Sequence, residues 1–528
     1  MRKIIFGILL NFLALHMQGQ SITVTPFSFD DDLRFLKLQG KLPEKVSLNI
    51  RPMGMGKEVE LDSLYRAIAD GQEKPFKPAE VKFLGKYGKA GLLPITTINK
   101  FTSHHPYGWS DGALFPANGF QSLISAGAYF KLGPLSIQLR PELLYAENKP
   151  YELSQNYGAE KFKGAYRTLL PGQSRIALDF GPVSLAASSE NLWWGPGQFS
   201  AVMMSNNAPG FPHISFSTNR PLKTAIGTFE WQIVGGEIRD IQYQPDEYRY
   251  LSNYNDVYVR FADSVDNKKY MNGVGLSYQP AFLKGVTVGV TRTFVSSVLN
   301  INNNLLKNEG FTGAYLPILG KLFKDKYVDD NARKWNQLAS LFLRINFPKS
   351  NAEAYVEYGW NDHKWNIRDM MMSPTHSAAY LVGVKKLFKL GRGRTMDVSL
   401  EHTQMEQSPD FLVRDAYLWY IHWFKSDYSH ASQVLGSGIG FGANAFTASI
   451  VMKKGYNQIG VIMERVQRDP TFYATRWTDL SLGIVGRKKI NNFLLNTRIS
   501  GIQSINYAWE GNKNRFNVMG LLGVSYFF

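Results

Sequence analysis

The feature that most constrains this chain is an apolar/polar alternation of period two, recurring in segments of about ten residues. Met396, Val398 and Leu400 alternate with Asp397, Ser399 and Glu401. Leu341, Leu343, Ile345 and Phe347 alternate with Phe342, Arg344 and Asn346. Leu135, Ile137, Leu139, Leu143 and Tyr145 do so with Ser136, Gln138, Arg140 and Glu142, and Leu480, Leu482 and Ile484 with Asp479, Ser481 and Gly483. In the last segment Phe516, Val518, Gly520, Leu522, Val524, Tyr526 and Phe528 form an entirely apolar face. Successive side chains of a strand point to opposite faces, so each segment has one greasy and one polar surface. A soluble antiparallel sheet shows this too, and the connections decide between them. Short ones lie near Gly133–Pro134, Gly181–Pro182, Pro280–Lys284, Pro348–Asn351, Lys389–Arg394, Gly455–Asn457 and Arg487–Ile490. Long stretches intervene near 100–119, 148–173, 190–221, 246–270, 296–334, 362–375 and 407–435. Tight turns on one side and long loops on the other characterise membrane barrels. Lipid cannot satisfy a free sheet edge, so such strands must close.

The predicted fold is therefore all-β: a transmembrane antiparallel β-barrel of about 18 strands, the first near Gly91–Asn99 and the second near Phe120–Lys131. An even count puts both barrel ends in the periplasm, and a barrel of this size has a lumen, open or plugged. Only 19% of the 528 residues are charged, 14% are aromatic, and no window reaches the ~20 apolar residues of a spanning helix. The absence of cysteine excludes disulfides, thiolate metal sites and cysteine nucleophiles. Arg2 and Lys3 ahead of an apolar run from Ile4 to Leu15 predict a secretory signal peptide over residues 1–19. Residues 20–90 read as a periplasmic N-terminal segment with short helices over Glu58–Asp70 and Pro78–Tyr87, and 91–528 as the barrel with long extracellular loops.

The sharpest local feature is Glu190-Asn191-Leu192-Trp193-Trp194-Gly195-Pro196-Gly197. Two large flat side chains before a Gly-Pro-Gly turn suit either a stacking platform for sugar rings or a plug folded into the lumen. His104-His105-Pro106-Tyr107-Gly108-Trp109-Ser110-Asp111-Gly112 forms a second aromatic group, in the first long connection. Adjacent His residues on an extended chain point apart, and no HExxH is present, so no metal or cofactor is expected. Pro212-His213 and Asn219-Arg220-Pro221 are expected in the same long loop as the Trp pair, and Gly436, Gly438, Gly440 and Gly442 suggest a strand bend. Lumen-facing Arg140, Glu142, Arg344, Asp397 and Glu401 are expected to pair inside the barrel. The balance of 59 Lys and Arg against 43 Asp and Glu favours anionic partners. These are lipopolysaccharide phosphates and outer-membrane lipid, or an acidic polysaccharide met by Lys161, Lys163, Arg167, Lys321, Lys324, Lys326, Arg333 and Lys334. Nucleic acid is not an expected partner behind a secretion signal.

The run His105–Gly112 continuing through Phe120–Gly127, the run Gly133–Glu142, and above all Asn191–Gly197 with its Trp-Trp-Gly-Pro-Gly resemble the capsule assembly protein Wzi family, in its Bacteroidota branch. The resemblance covers nearly the whole mature chain and is strongest over about 100–235. It implies an integral outer-membrane barrel of 18 strands, a small periplasmic helical element, a lumen closed by loops, and lectin-like attachment of capsular polysaccharide without catalysis. The family signature falls on Asn191, Trp193, Trp194, Gly195, Pro196 and Gly197. Trp193, Trp194, Tyr107, Trp109 and Asp111 are the candidate carbohydrate-binding residues, with other export proteins as further partners. The rival readings are an outer-membrane channel, an accessory barrel of a larger secretion complex, and a lipid hydrolase built on His402.

Overall fold

The computed structural model describes residues 20–528 apart from 44–45, 56–59, 86, 115, 153–163, 241–249, 252–257, 260–267, 319–334, 362–366, 373, 407–418, 421–427, 432, 441 and 469–474. Lys161, Lys163, Lys321, Lys324, Lys326, Arg333 and Lys334 lie outside the described residues, as does the expected signal segment 1–19.

Eighteen strands follow one another around a single antiparallel sheet. They are β1 (Gly88–Thr102), β2 (Gly119–Leu132), β3 (Leu135–Leu139 continued by Glu142–Ala146), β4 (Tyr166–Leu170 continued by Arg175–Phe180), β5 (Val183–Ser188) and β6 (His213–Thr218). Next come β7 (Gly227–Arg239), β8 (Lys268–Pro280), β9 (Val286–Ser297), β10 (Asn336–Phe347), β11 (Ala352–Asn361) and β12 (Ala378–Gly391). The circuit ends with β13 (Arg394–Gln404), β14 (Asn444–Lys454), β15 (Asn457–Arg468), β16 (Trp477–Ile490), β17 (Phe493–Ile505) and β18 (Arg515–Tyr526). The sheet closes where β18 meets β1, with Tyr526 opposite Ile95 and Met519 opposite Thr102.

The two faces of this wall are inverted relative to a soluble protein. Along β16, Leu480, Leu482 and Ile484 stand exposed, Ile484 by 62%, while Asp479 on the other face is completely buried. The same holds for Phe516, Val518 and Leu522 outside β18 against Asn517 and Ser525 inside it. Apolar outside and polar inside is stable only with hydrocarbon around the wall, so the barrel spans a membrane. Inside, Arg344 is paired with Glu353, and Asp397 with Lys385 and Lys453. Arg140, Glu142 and Glu401 depart from the expected ion pairing: Arg140 donates to Ser125 and Thr23, Glu142 accepts from Gln173, and Glu401 accepts from Tyr355 and two backbone amides.

Two helices precede the barrel, α1 (Asp30–Leu38) and α2 (Leu61–Ala69). The second falls within the predicted Glu58–Asp70. The first was not predicted, although Asp30, Asp31 and Asp32 in its first turn suit the positive end of the helix dipole. The helix expected over Pro78–Tyr87 is instead a strand, Ala79–Phe83, with Ala79 opposite Leu92 and Phe83 opposite Gly88. The reason lies in the closure. β18 covers β1 only from Ile95 upward, and the remaining edge of β1 needs backbone partners that a helix could not supply.

The N-terminal segment forms the floor of the lumen. Leu33, Leu36, Leu64, Tyr65, Ile68 and Phe76 share a core with Tyr456, Leu494 and Phe527 of the barrel, and the Phe76 and Phe527 rings stack 3.8 Å apart. Arg487 on β16 grips Asp32 with two hydrogen bonds of 2.6 and 2.7 Å, and Arg34 joins Glu353 on β11.

Candidate functional site

Residues 189–212, between β5 and β6, fold into the lumen. Asn191 anchors the entry: its Nδ2 donates to the Ala208 carbonyl at 3.1 Å, and its Oδ1 accepts from Gln173 at 2.9 Å. Trp193 and Trp194 then pair as a short antiparallel ladder with Arg51 and Ile50 of the N-terminal segment. The signature thus stitches the external loop to the floor. Trp194 has no exposed surface, its Nε1 donates to Gln232 at 2.7 Å, and its ring lies over Gly273 of β8, where a Cβ would come within 2.7 Å. Trp193 is 4% exposed, beside Val24 and Ala201, with the Arg51 guanidinium 4.5 Å above its ring.

The glycines of the motif serve the approach to the wall. Gly195 has φ +112° and lies where a Cβ would sit 2.7 Å from Glu357 Oε2, while a Cβ on Gly197 would strike the Ser200 carbonyl. Two buried carboxylates hold the descending strand of the loop. Glu357 accepts from the Val202 amide at 3.1 Å and from Ser340 at 2.8 Å; Glu401 accepts from the Gln198 and Phe199 amides at 2.7 and 3.1 Å. A loop inside a barrel has amides that no strand satisfies, and carboxyl oxygens on the wall supply the acceptors. Glu357 was not singled out from the sequence; it is one of several acids on polar strand faces, and only the folded loop distinguishes it.

Four expectations change here. Gly436 and Gly438 do not bend a strand. They let residues 435–439 cross the loop closely: a Cβ on Gly436 would lie 2.4 Å from the Val202 carbonyl, and Tyr420 bonds that carbonyl and the Ser437 amide. His213 opens β6 instead of lying in the loop, and Asn219-Arg220-Pro221 falls in the turn at the opposite end of the barrel, where Asn219 donates to Asp179. His104 and His105 do not point apart, because the chain bends there, and their Nδ1 atoms meet at 3.1 Å. Among the described residues no group of three or more potential ligands could hold a metal.

The fourth concerns the sugar platform. Trp193, Trp194 and Tyr107 are buried, so none presents a ring face to an external polymer. Tyr107 donates to Glu464 at 3.2 Å, and Asp111 pairs with the buried Lys100 at 2.5 Å. Trp109, edge-on to Tyr107 at 6.0 Å, packs against the Trp194 core and keeps part of its surface. Of the candidate residues, Trp109 and Asp111 keep part of their surface. His402 lies on the lipid side of β13, on the face of Leu400 and beside Tyr380.

At the mouth near β15–β18, His105 meets aromatic residues that no sequence motif marks. Trp477 meets Trp509 edge-on at 4.8 Å and Tyr507 at 5.0 Å, and His105 lies 4.7 Å from Tyr507. Burial lowers the His105 pKa to about 4. Beside them Arg515 and Lys513 converge on Glu152, and their hydrogen bonds hold its carboxyl below the usual range. Asn506, Ala508, Trp509 and Asn512 all have φ between +51° and +62°, so the 506–514 loop is held in a conformation that L-residues seldom adopt. The signal for it, Tyr507-Ala508-Trp509-Glu510-Gly511-Asn512, is an aromatic turn between two short-spaced strands and carries no motif.

The sequence model of the capsule assembly protein Wzi family matches residues 116–499. The chain belongs to that family. The structure is similar to that of Wzi from Escherichia coli, a carbohydrate-binding outer-membrane barrel involved in group 1 capsule assembly, with a TM-score of 0.63 and 12% identity over 97% of this chain and 100% of that one. OpdQ of Pseudomonas aeruginosa matches with a TM-score of 0.40 and 9% identity over 83% of this chain and 97% of that one. OccAB4 of Acinetobacter baumannii matches at 0.39 and 12%, over 82% and 96%. No curated protein matches the chain. Family membership, the closed 18-strand wall and its apolar exterior agree on an integral outer-membrane protein.

Proposed function

We propose that this barrel binds and retains exported surface polysaccharide at its external loops, as a non-enzymatic, lectin-like component of capsule assembly. The observation that carries this reading is the filled lumen. The Trp194 core, the loop pinned by Glu357 and Glu401, and the N-terminal floor occupy the space a transport route would need, which leaves the mouth as the working surface. Trp109, Trp509, Arg515 and Asn512 there combine partial aromatic faces, a guanidinium and an amide, the side-chain chemistry that recognises pyranose rings bearing carboxylates. Each contact to one repeat is weak, and a polymer held by many barrels gains avidity along its length. Lipopolysaccharide against the outer wall, and other export proteins, are further partners on this reading.

The test compares cell-bound with released polymer in strains carrying Trp509→Ala with Arg515→Ala. Release of polymer with normal levels of inserted barrel is expected; full retention at normal levels contradicts the proposal.

A further inference from the structure

One arc of the periplasmic rim carries five exposed cations on three neighbouring hairpins. The turns joining β8 to β9, β10 to β11 and β12 to β13 carry Lys284, Lys349, Lys389, Arg392 and Arg394, all exposed, with Lys386 just above them. In the adjoining stretches 280–286, 346–354 and 384–397 the acids are Glu353 and Asp397, and both are buried in the lumen with other partners. None of these five rim cations has an acidic partner among the described residues. The contrast with β2–β5 is direct: those turns are Gly133-Pro134 and Gly181-Pro182, flanked by exposed Leu132 and Phe180.

Large apolar side chains interleave with the cations. Phe282 is 79% exposed, and Leu283, Phe347, Phe388 and Leu390 are exposed beside it. Lys386 decides what kind of surface this is. It lies on the lipid-facing register of β12, after Val382 and Val384 and before Phe388, all three exposed. Its stem runs along that face, and its ammonium reaches down to the Ser350 carbonyl and lies 5.7 Å from the Phe388 ring. An alkyl stem on the hydrocarbon face with its charge at the edge is the posture of a side chain at a lipid headgroup. An acidic protein docking from the periplasm would need the cations, but would not need them continuous with the lipid-facing register.

We infer that this arc binds the phosphates of anionic phospholipids in the periplasmic leaflet, so that the barrel holds such lipids on one flank. The excess positive charge of the chain then serves the inner edge of the membrane, not only the external polymer.

The test uses the purified full chain in detergent with equal amounts of phosphatidylglycerol and phosphatidylcholine, reading bound lipid by native mass spectrometry. Several-fold preference for phosphatidylglycerol is expected, falling toward parity in the combined variant Lys284→Gln, Lys349→Gln, Lys389→Gln, Arg392→Gln and Arg394→Gln. Arginine at the three lysine positions should keep the preference, as should Lys74→Gln with Lys77→Gln on the N-terminal segment. Parity in the unmodified protein overturns the inference and leaves the arc as a surface for an acidic protein. An undiminished preference in the glutamine variant overturns it as well. Should that variant fail to insert, the lipid competition on the unmodified protein still decides.

Discussion

Two aromatic groups in this barrel are both largely buried, and they differ in what lies at their edge. Trp193 and Trp194 sit in the lumen, laddered to Arg51 and Ile50 and sealed from water. Tyr507 and Trp509 pack with Trp477, the first residue of β16, at the external mouth beside Glu152, Lys513 and Arg515, in a loop whose backbone is held in left-handed conformations, and of the three Trp509 keeps exposed surface. The comparison separates conspicuousness from exposure. The conspicuous Trp-Trp-Gly-Pro-Gly run is packed inside the barrel, and Trp509, which keeps surface at the mouth, belongs to no motif.

The largest effect should come from Trp194→Ala. Losing the ring and leaving Gln232 unbonded should cost about 3–5 kcal/mol, read as a lower unfolding temperature in detergent. If stability is unchanged, the luminal group is not the packed core described here. Next, Glu353→Gln removes the shared partner of Arg34 and Arg344. An uncompensated buried charge costs roughly 3–5 kcal/mol, and the N-terminal segment should become sensitive to protease while the strands stay resistant.

The pH response probes the mouth group through His105. His105 contacts the mouth group, and burial lowers its pKa in the folded protein to about 4, against about 6.5 when unfolded. The unfolded chain takes the proton first, so stability is full above pH about 6.5 and falls as pH drops toward 4. The loss from His105 should reach on the order of 2–3 kcal/mol, and His105→Phe should make the profile shallower by that share. A pH-independent profile in the unmodified protein contradicts the buried placement. The smallest effect on stability, under about 1 kcal/mol, is expected for Arg515→Ala, at a site where polymer retention should nevertheless fall.

Much of this was readable before folding. The wall follows from strands such as β16 and β18, which carry apolar runs at every second residue (Leu480, Leu482, Ile484 and Phe516, Val518), and from the alternation of short and long connections. What period two cannot report is the content of the lumen. Glu357 and Glu401 look like any inward acid, yet they hold a loop whose position depends on contacts far away in sequence. The helical reading of Pro78–Tyr87 failed for the same reason, since local spacing does not show that β1 has an uncovered edge. For Trp193 and Trp194 the sequence left a plug and a platform open, because large flat side chains serve either use. The ladder with Ile50 and Arg51 is a pairing across some 140 residues that no local pattern reveals.

Ion current through single barrels in a planar bilayer bears most directly on the claim that the lumen is packed and the outer surface does the binding. The unmodified protein should be silent at neutral pH across the accessible voltages, and Trp194→Ala should show openings. A steady current through the unmodified protein would contradict the account.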